Sequence, residues 1–304
     1  MKRLALLLVL AVLALRAEVP PAKPFPACFP AATFLLVRID AGQLLDQGLV
    51  KEVLTAKIGD INAFIGNIRT ATGVDLGSIT EVWIAVLKKD HAVIVLKGAF
   101  DLPTIQGTVL NIDTVQAVQR PGVPLALLLP DEKKPGKSNL AALLDSEKMV
   151  FGPPELVDDF LAAYLGEGEG LPPALAERAN GMLGGEAMLD ALLLKLPPEE
   201  LRKNPWMTLF TYGQGAVSLA GQDVQFEVAL GLRKPEMREP AMKAIEGVRD
   251  IYRLLDENMR RLDPLPSMLL EGVTVKPDAE LLVLRAALPR EVVERLLRQK
   301  MGMP

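Results

Sequence analysis

The chain has 304 residues, half of them hydrophobic, with 34 basic and 38 acidic side chains, one histidine and one cysteine. These counts exclude metal sites built from several histidines or cysteines, and they exclude an internal disulfide. Because basic and acidic residues are interspersed, we also predict that nucleic acid is not a partner.

The chain begins with the pattern of a secretory signal peptide, in which Lys2 and Arg3 precede an apolar run of about a dozen residues. The run is shorter than the roughly 20 residues that a membrane-spanning helix needs. We predict a signal peptide over residues 1–17, cleaved after Ala17, and export to the periplasm or cell envelope. A cleavage position near Ala14 and an uncleaved membrane anchor are the alternatives.

Cleavage would leave an acidic mature chain that starts with a linker. Removing the three basic residues of the leader leaves 31 basic and 38 acidic side chains, a net charge near −7. Residues 18–30 contain five prolines, which predict an extended linker. Cys28 falls in this linker, and we expect a surface or edge thiol there and no lipidation.

Strands and helices follow in a regular succession. Residues 33–40 predict a buried strand, and residues 41–73 have the apolar spacing of helices. Two β-rich runs, EVWIAVL and AVIVLKGAF, then flank the polar tetrad KKDH and predict a hairpin. Four such turns begin at residues 88, 145, 220 and 276. A proline and a helical segment follow each hairpin, over residues 101–112, 153–166, 239–262 and 289–301.

The spacing of the hairpins indicates an internal repeat. The turns of each pair are 57 and 56 residues apart, and corresponding turns of the two pairs are 132 and 131 residues apart. Residues 186–196 supply a first strand for the second copy, and the segment 166–185, rich in glycine and proline, marks the junction. We therefore predict two tandem repeats, over residues 31–175 and 176–304.

This order of elements predicts an α+β fold. Each repeat is expected to be a diverged ferredoxin-like βαββαββα unit, with a largely antiparallel sheet and helices on one face. If the second sheet face is also apolar, the two repeats should pack sheet to sheet or share one continuous sheet. The amphipathic segment 239–262 and the basic C-terminal helix are expected to pack on their own sheet, with membrane association of the latter as the alternative.

His91 is the one imidazole available for catalysis. Its place at the end of the first predicted turn favours a solvated turn residue. A Ser-His-Asp arrangement is not indicated, because no G-x-S-x-G elbow accompanies it.

Two segments resemble nucleotide-binding loops only in part. KKPGKSNL has the Gly136, Lys137, Ser138 ending of a phosphate-binding loop, but Asp131 occupies the position of the first glycine. GQGAVS, from Gly213, lacks the third glycine of a dinucleotide fingerprint and precedes a strand. We therefore predict no nucleotide and no cofactor.

Other candidate groups have simpler structural explanations. Two carboxylate pairs are adjacent or nearly adjacent in the sequence, Asp158 with Asp159 and Glu167 with Glu169, and both are expected on the surface. Trp83 falls in an apolar strand and is expected in the core, whereas Trp206 is the better candidate for a ligand site.

The phrase TGVDLGSITEVWIAV before a hairpin and the ending LPREVVERLL, together with the leader, resemble exported bacterial α+β proteins without an assigned activity. The resemblance covers most of the mature chain and implies export and an α+β architecture. It brings no functional motif with it.

We therefore predict a non-enzymatic envelope protein with a binding, scaffolding or assembly role, whose partner is another protein or a second copy. No catalytic residue, cofactor or metal ion is predicted. The alternatives are an envelope hydrolase with two carboxylates in a cleft between the repeats and a membrane-tethered assembly factor. A flat apolar patch or an open strand edge would favour binding.

Overall fold

The computed structural model describes residues 25–48, 50, 55, 61–88, 91–130, 135–181, 185–195, 201–202, 205–254, 272–278 and 280–300. The predicted signal peptide lies outside these residues. Twelve strands lie within them: β1 (Leu35–Asp40), β2 (Glu81–Lys88), β3 (His91–Lys97), β4 (Gln116–Val118), β5 (Leu125–Pro130), β6 (Ser138–Leu143), β7 (Lys148–Gly152), β8 (Leu189–Leu193), β9 (Phe210–Ala220), β10 (Asp223–Leu232), β11 (Thr274–Asp278) and β12 (Leu281–Pro289). The α-helices are α1 (Ala41–Leu45), α2 (Ile61–Thr72), α3 (Leu102–Val109), α4 (Pro154–Tyr164), α5 (Pro173–Asn180), α6 (Arg238–Leu254) and α7 (Arg290–Lys300).

All twelve strands form one sheet, in the order β11-β12-β10-β9-β8-β1-β2-β3-β7-β6-β5-β4. Every pairing in it is antiparallel. Strands β1 and β8, which begin the two halves of the chain, pair with each other at the centre. The α+β class and the antiparallel sheet are therefore confirmed, and the two halves share one continuous sheet.

The four predicted hairpins are present as β2-β3, β6-β7, β9-β10 and β11-β12. The last turn lies later than predicted, because β11 continues through Lys276 and Pro277 to Asp278. The sequence reasoning missed β4 at the sheet edge and α5 in the junction. Residues 255–262 of the predicted long helix lie outside the described residues.

The ferredoxin-like order is not observed. A split βαβ unit places another strand between the two strands that a helix connects, whereas β1 pairs directly with β2, and β8 directly with β9. Each half instead has its strands in the same alternative order, β1-β2-β3-β7-β6 and β8-β9-β10-β12-β11. The predicted boundary at residues 175 and 176 falls inside α5.

The prediction of helices on a single sheet face is wrong, because neighbouring strand residues point to opposite faces and both faces carry helices. On the face that bears Val95, which we call the back face, α4 packs through Phe160. On the opposite or front face, which bears Leu96, α3 packs through Ile105. In the second half, α6 and α7 both pack on the front face, through Ile245 and Val293.

Residues 25–30, predicted as the end of an extended linker, are packed into the core of the first half. Phe29 and Cys28 are fully buried, so the expected surface thiol is also wrong. The ring of Phe29 lies 5.5 Å from that of Phe160 and 6.3 Å from that of Trp83, measured between centroids. The prolines thus shape a compact segment beneath the back face.

Candidate binding surface

A buried group of charged side chains joins the two halves of the sheet on its back face. Arg38 of β1 is 3% exposed, and its Nη1 donates to Asp190 Oδ2 of β8 at 3.1 Å. The same nitrogen donates to the carbonyl of Ala187 at 3.3 Å, and Nη2 donates to Glu81 Oε1 of β2 at 3.3 Å. Lys97 of β3 reaches the other oxygen of Glu81 at 2.9 Å.

The two carboxylates that bind Arg38 respond differently to their surroundings. Burial raises the pKa of Asp190, and the hydrogen bond and charge of Arg38 offset this only in part. Burial also acts to raise the pKa of Glu81, but hydrogen bonds from Trp83 and Lys97 and the nearby positive charges outweigh it, so that this pKa is lowered. Protonation of Asp190 therefore stabilises the folded state, whereas Glu81 stabilises it while ionised and loses that contribution as the pH falls.

This network does not have the properties of a hydrolytic site. An acid–base pair must reach a substrate proton, yet Arg38 and Asp190 expose only 3% and 6% of their side chains. Their carboxylate and guanidinium groups are engaged with each other across the β1-β8 seam. The network is therefore a structural connection between the two halves.

The other predicted carboxylate pairs do not converge on a site. Asp158 accepts from Arg120 Nε at 2.6 Å, on the surface of α4. Glu167 and Glu169 follow the end of that helix, in the junction. Within the described part of the chain, no group of three or more histidine, cysteine or acidic side chains could hold a metal ion.

The remaining sequence candidates occupy separate places. His91 is the first residue of β3 and pairs with Lys88 across the hairpin. Gly136 has a φ of 83° in the turn between β5 and β6, so the segment around it joins two strands, as predicted. Trp83 is fully buried, which confirms its place in the core, and Trp206 is 38% exposed with its ring against that of Phe210.

The centre of the front face is the one large feature that the sequence candidates did not include. We call it the central strip. It consists of aliphatic side chains that are half-buried and belong to none of the four hydrophobic clusters found among the described residues. Its members lie on β1, β2, β3 and β8: Leu35, Val37, Ile39, Val82, Ile84, Val86, Ile94, Leu189, Ala191 and Leu193.

The described helices leave the strip uncovered because they pack to either side of it. On one side, α3 covers the part of the front face formed by β3, β7, β6 and β5. On the other side, α6 and α7 cover β9, β10 and β12. The short helix α1 lies at the end of β1 and β2. None of the helices within the described ranges is both long and apolar enough to cross a bilayer.

Two glycines of β9 border the strip without a packing reason of their own. A Cβ on Gly215 would meet its nearest atom at 4.0 Å, and one on Gly213 would meet Leu230 at 3.4 Å. Both are ordinary contact distances, so the fold itself accommodates a side chain at either position. Glycine inside a strand weakens the strand and often marks a place where another molecule approaches the backbone closely.

The two edges of the sheet are poor sites for strand addition. The edge strand β11 contains Pro277, which has no N–H to donate. The other edge strand, β4, has three residues. Short edge strands and prolines are the usual protection against pairing with a further strand.

No family model matches the chain, and no curated protein matches it. Among solved structures, those of crystal forms III and IV of TP0453 are similar to it, each with a TM-score of 0.50 at 9% sequence identity. The alignments cover 90% and 93% of this chain and 97% and 98% of the TP0453 chain. At this identity the likeness concerns the fold alone.

The geometry therefore offers an apolar surface and no assembled set of reactive groups among the described residues. The back face of the second half is also open, as a depression of about 680 Å³ lined by Ser218, Gln225 and Glu227 among others. Those side chains are small or polar and alternate with core residues, as in a sheet that faces water on one side. The central strip is the surface whose composition does not suit water.

Proposed function

We propose that this protein is a non-enzymatic component of the cell envelope that binds a protein partner through the central strip. The observation that carries the proposal is the row of half-buried aliphatic side chains at the middle of the sheet, which no helix within the described ranges covers. Exposed apolar patches on soluble proteins commonly mark interaction sites. Export rests on the leader pattern of the sequence.

Closed sheet edges and the engagement of the seam carboxylates support binding over the alternatives. Strand addition would need an open edge, and hydrolysis would need accessible acids. The shared strand order of the two halves also supports our proposal that they arose by duplication of one unit. In that arrangement the strip lies at the seam between the two copies.

Ile84 lies in the middle of the strip, so we expect Ile84→Lys to abolish binding to the envelope partner. A lysine at a half-exposed position keeps its ammonium group in water, so the fold should remain intact. Purified wild-type protein and the variant would be used to capture partners from solubilised native envelopes, with quantification by mass spectrometry. Recovery of the partner should fall at least about ten-fold, which corresponds to roughly 1.4 kcal/mol of binding free energy.

Ser218→Lys is the matched control, because Ser218 is a half-buried residue on the back face of the same sheet. It should leave capture unchanged. Equal recovery with all three proteins would contradict the assignment of the strip as the binding surface.

A further inference from the structure

We infer that the occupant of the central strip is an amphipathic α-helix, about three turns long, supplied by a protein partner. This inference deepens the proposed function and rests on it. It follows from the size of the strip, from what stands on either side of it, and from the state of its backbone.

The strip is too small for an interface between two copies of the chain. Five strands, β3 to β9, at a spacing of about 4.8 Å give a width near 19 Å, and a paired length of five residues gives about 17 Å. The resulting footprint is on the order of 300 Å². A stable interface buries about 800 Å² on each partner.

The flanking helices exclude a flat partner. Helices stand on the front face at both sides of the strip, with α3 on one side and α6 and α7 on the other. Since a helix with its side chains is about 10 Å thick, the strip is the floor of a trough about that deep. A second sheet face would meet the flanking helices before it reached Val37 or Ile84.

The backbone of the floor is already satisfied. Strands β1, β2 and β8 each pair on both sides within the sheet, so an extended peptide has no main-chain groups to bind there. Recognition must come from side-chain packing, which is the mode in which an amphipathic helix places residues i, i+3, i+4 and i+7 in an apolar groove. A length of about 17 Å accommodates roughly 11 helical residues.

The width of the trough favours a helix over a single acyl chain, because a trough several strands wide leaves most of its floor exposed beside so thin an occupant. Gly213 and Gly215 at its border allow a helix backbone to approach closely.

The test uses a fluorescein-labelled peptide of about 14 residues, with leucine at helical spacing and glutamate and lysine elsewhere. A second peptide of identical composition has its leucines at every other position. Fluorescence anisotropy should show the first peptide binding the wild-type protein at least ten-fold more tightly than the second. Ile84→Lys should weaken binding of the first peptide at least ten-fold, and Ser218→Lys should leave it unchanged.

Equal affinity for the two peptides, or binding that Ile84→Lys does not alter, would overturn the inference. So would Ile84-dependent binding to vesicles of phosphatidylethanolamine and phosphatidylglycerol in place of peptide binding, or an Ile84-dependent dimer in sedimentation equilibrium. If capture of an envelope protein still depends on Ile84 while the helical peptide fails to bind, the proposed function stands and only the helical partner is wrong.

Discussion

Arg38→Met is expected to destabilise the protein by about 3–5 kcal/mol at neutral pH, the range measured when one member of a buried ion pair is removed. The variant leaves Asp190 ionised, 6% exposed and without its guanidinium partner at 3.1 Å. Because Asp190 can take up a proton at lower pH, the loss of stability relative to wild type should shrink as the pH falls. Urea denaturation at several pH values measures both effects.

The double variant Arg38→Met, Asp190→Leu is the control. Replacing both members of a buried pair by apolar residues is often neutral, so this protein should unfold within about 1 kcal/mol of wild type. A single variant that is as stable as the double variant would show that the seam network does not depend on the pair.

Phe29→Ala should have an effect of the same size, about 3–5 kcal/mol, because the side chain is fully buried against two other rings. Leu110→Ala, at a position 45% exposed, is the control and should change stability by no more than about 0.5 kcal/mol. Thermal and chemical unfolding of the two variants distinguish a packed segment from a linker. A negligible effect of Phe29→Ala would support the linker predicted from the prolines.

The elements that sequence patterns predicted well are those that local signals determine. The strand at residues 33–40, the hairpins and the helix that begins at Pro154 all depend on residues close together in the chain. The β1-β8 pairing joins residues more than 150 positions apart, and no local pattern indicates such a contact. The segment 25–30 was misjudged for a related reason, since its burial depends on Trp83 and Phe160.

The central strip had a partial signal in the sequence. In β2, EVWIAVLK, both alternating sets of residues are apolar, which predicts that both sheet faces avoid water. The back set, with Trp83 and Ala85, is buried, and the front set around Ile84 remains half-exposed. Which set the rest of the chain covers is decided by the direction in which helices leave their strands. For example, α4 leaves β7 toward the back face, whereas α7 leaves β12 toward the front.

The account depends most on the accessibility of the central strip in the purified protein, and a cysteine placed there measures it directly. The native Cys28 is buried, so Ile84→Cys adds a single reporter to a quiet background. We expect Ile84→Cys to react with a maleimide at least ten times faster than Cys28 in the wild-type protein, and the bound envelope partner should protect it. Labelling of Ile84→Cys as slow as that of Cys28 would mean that the strip is covered, and would contradict the account.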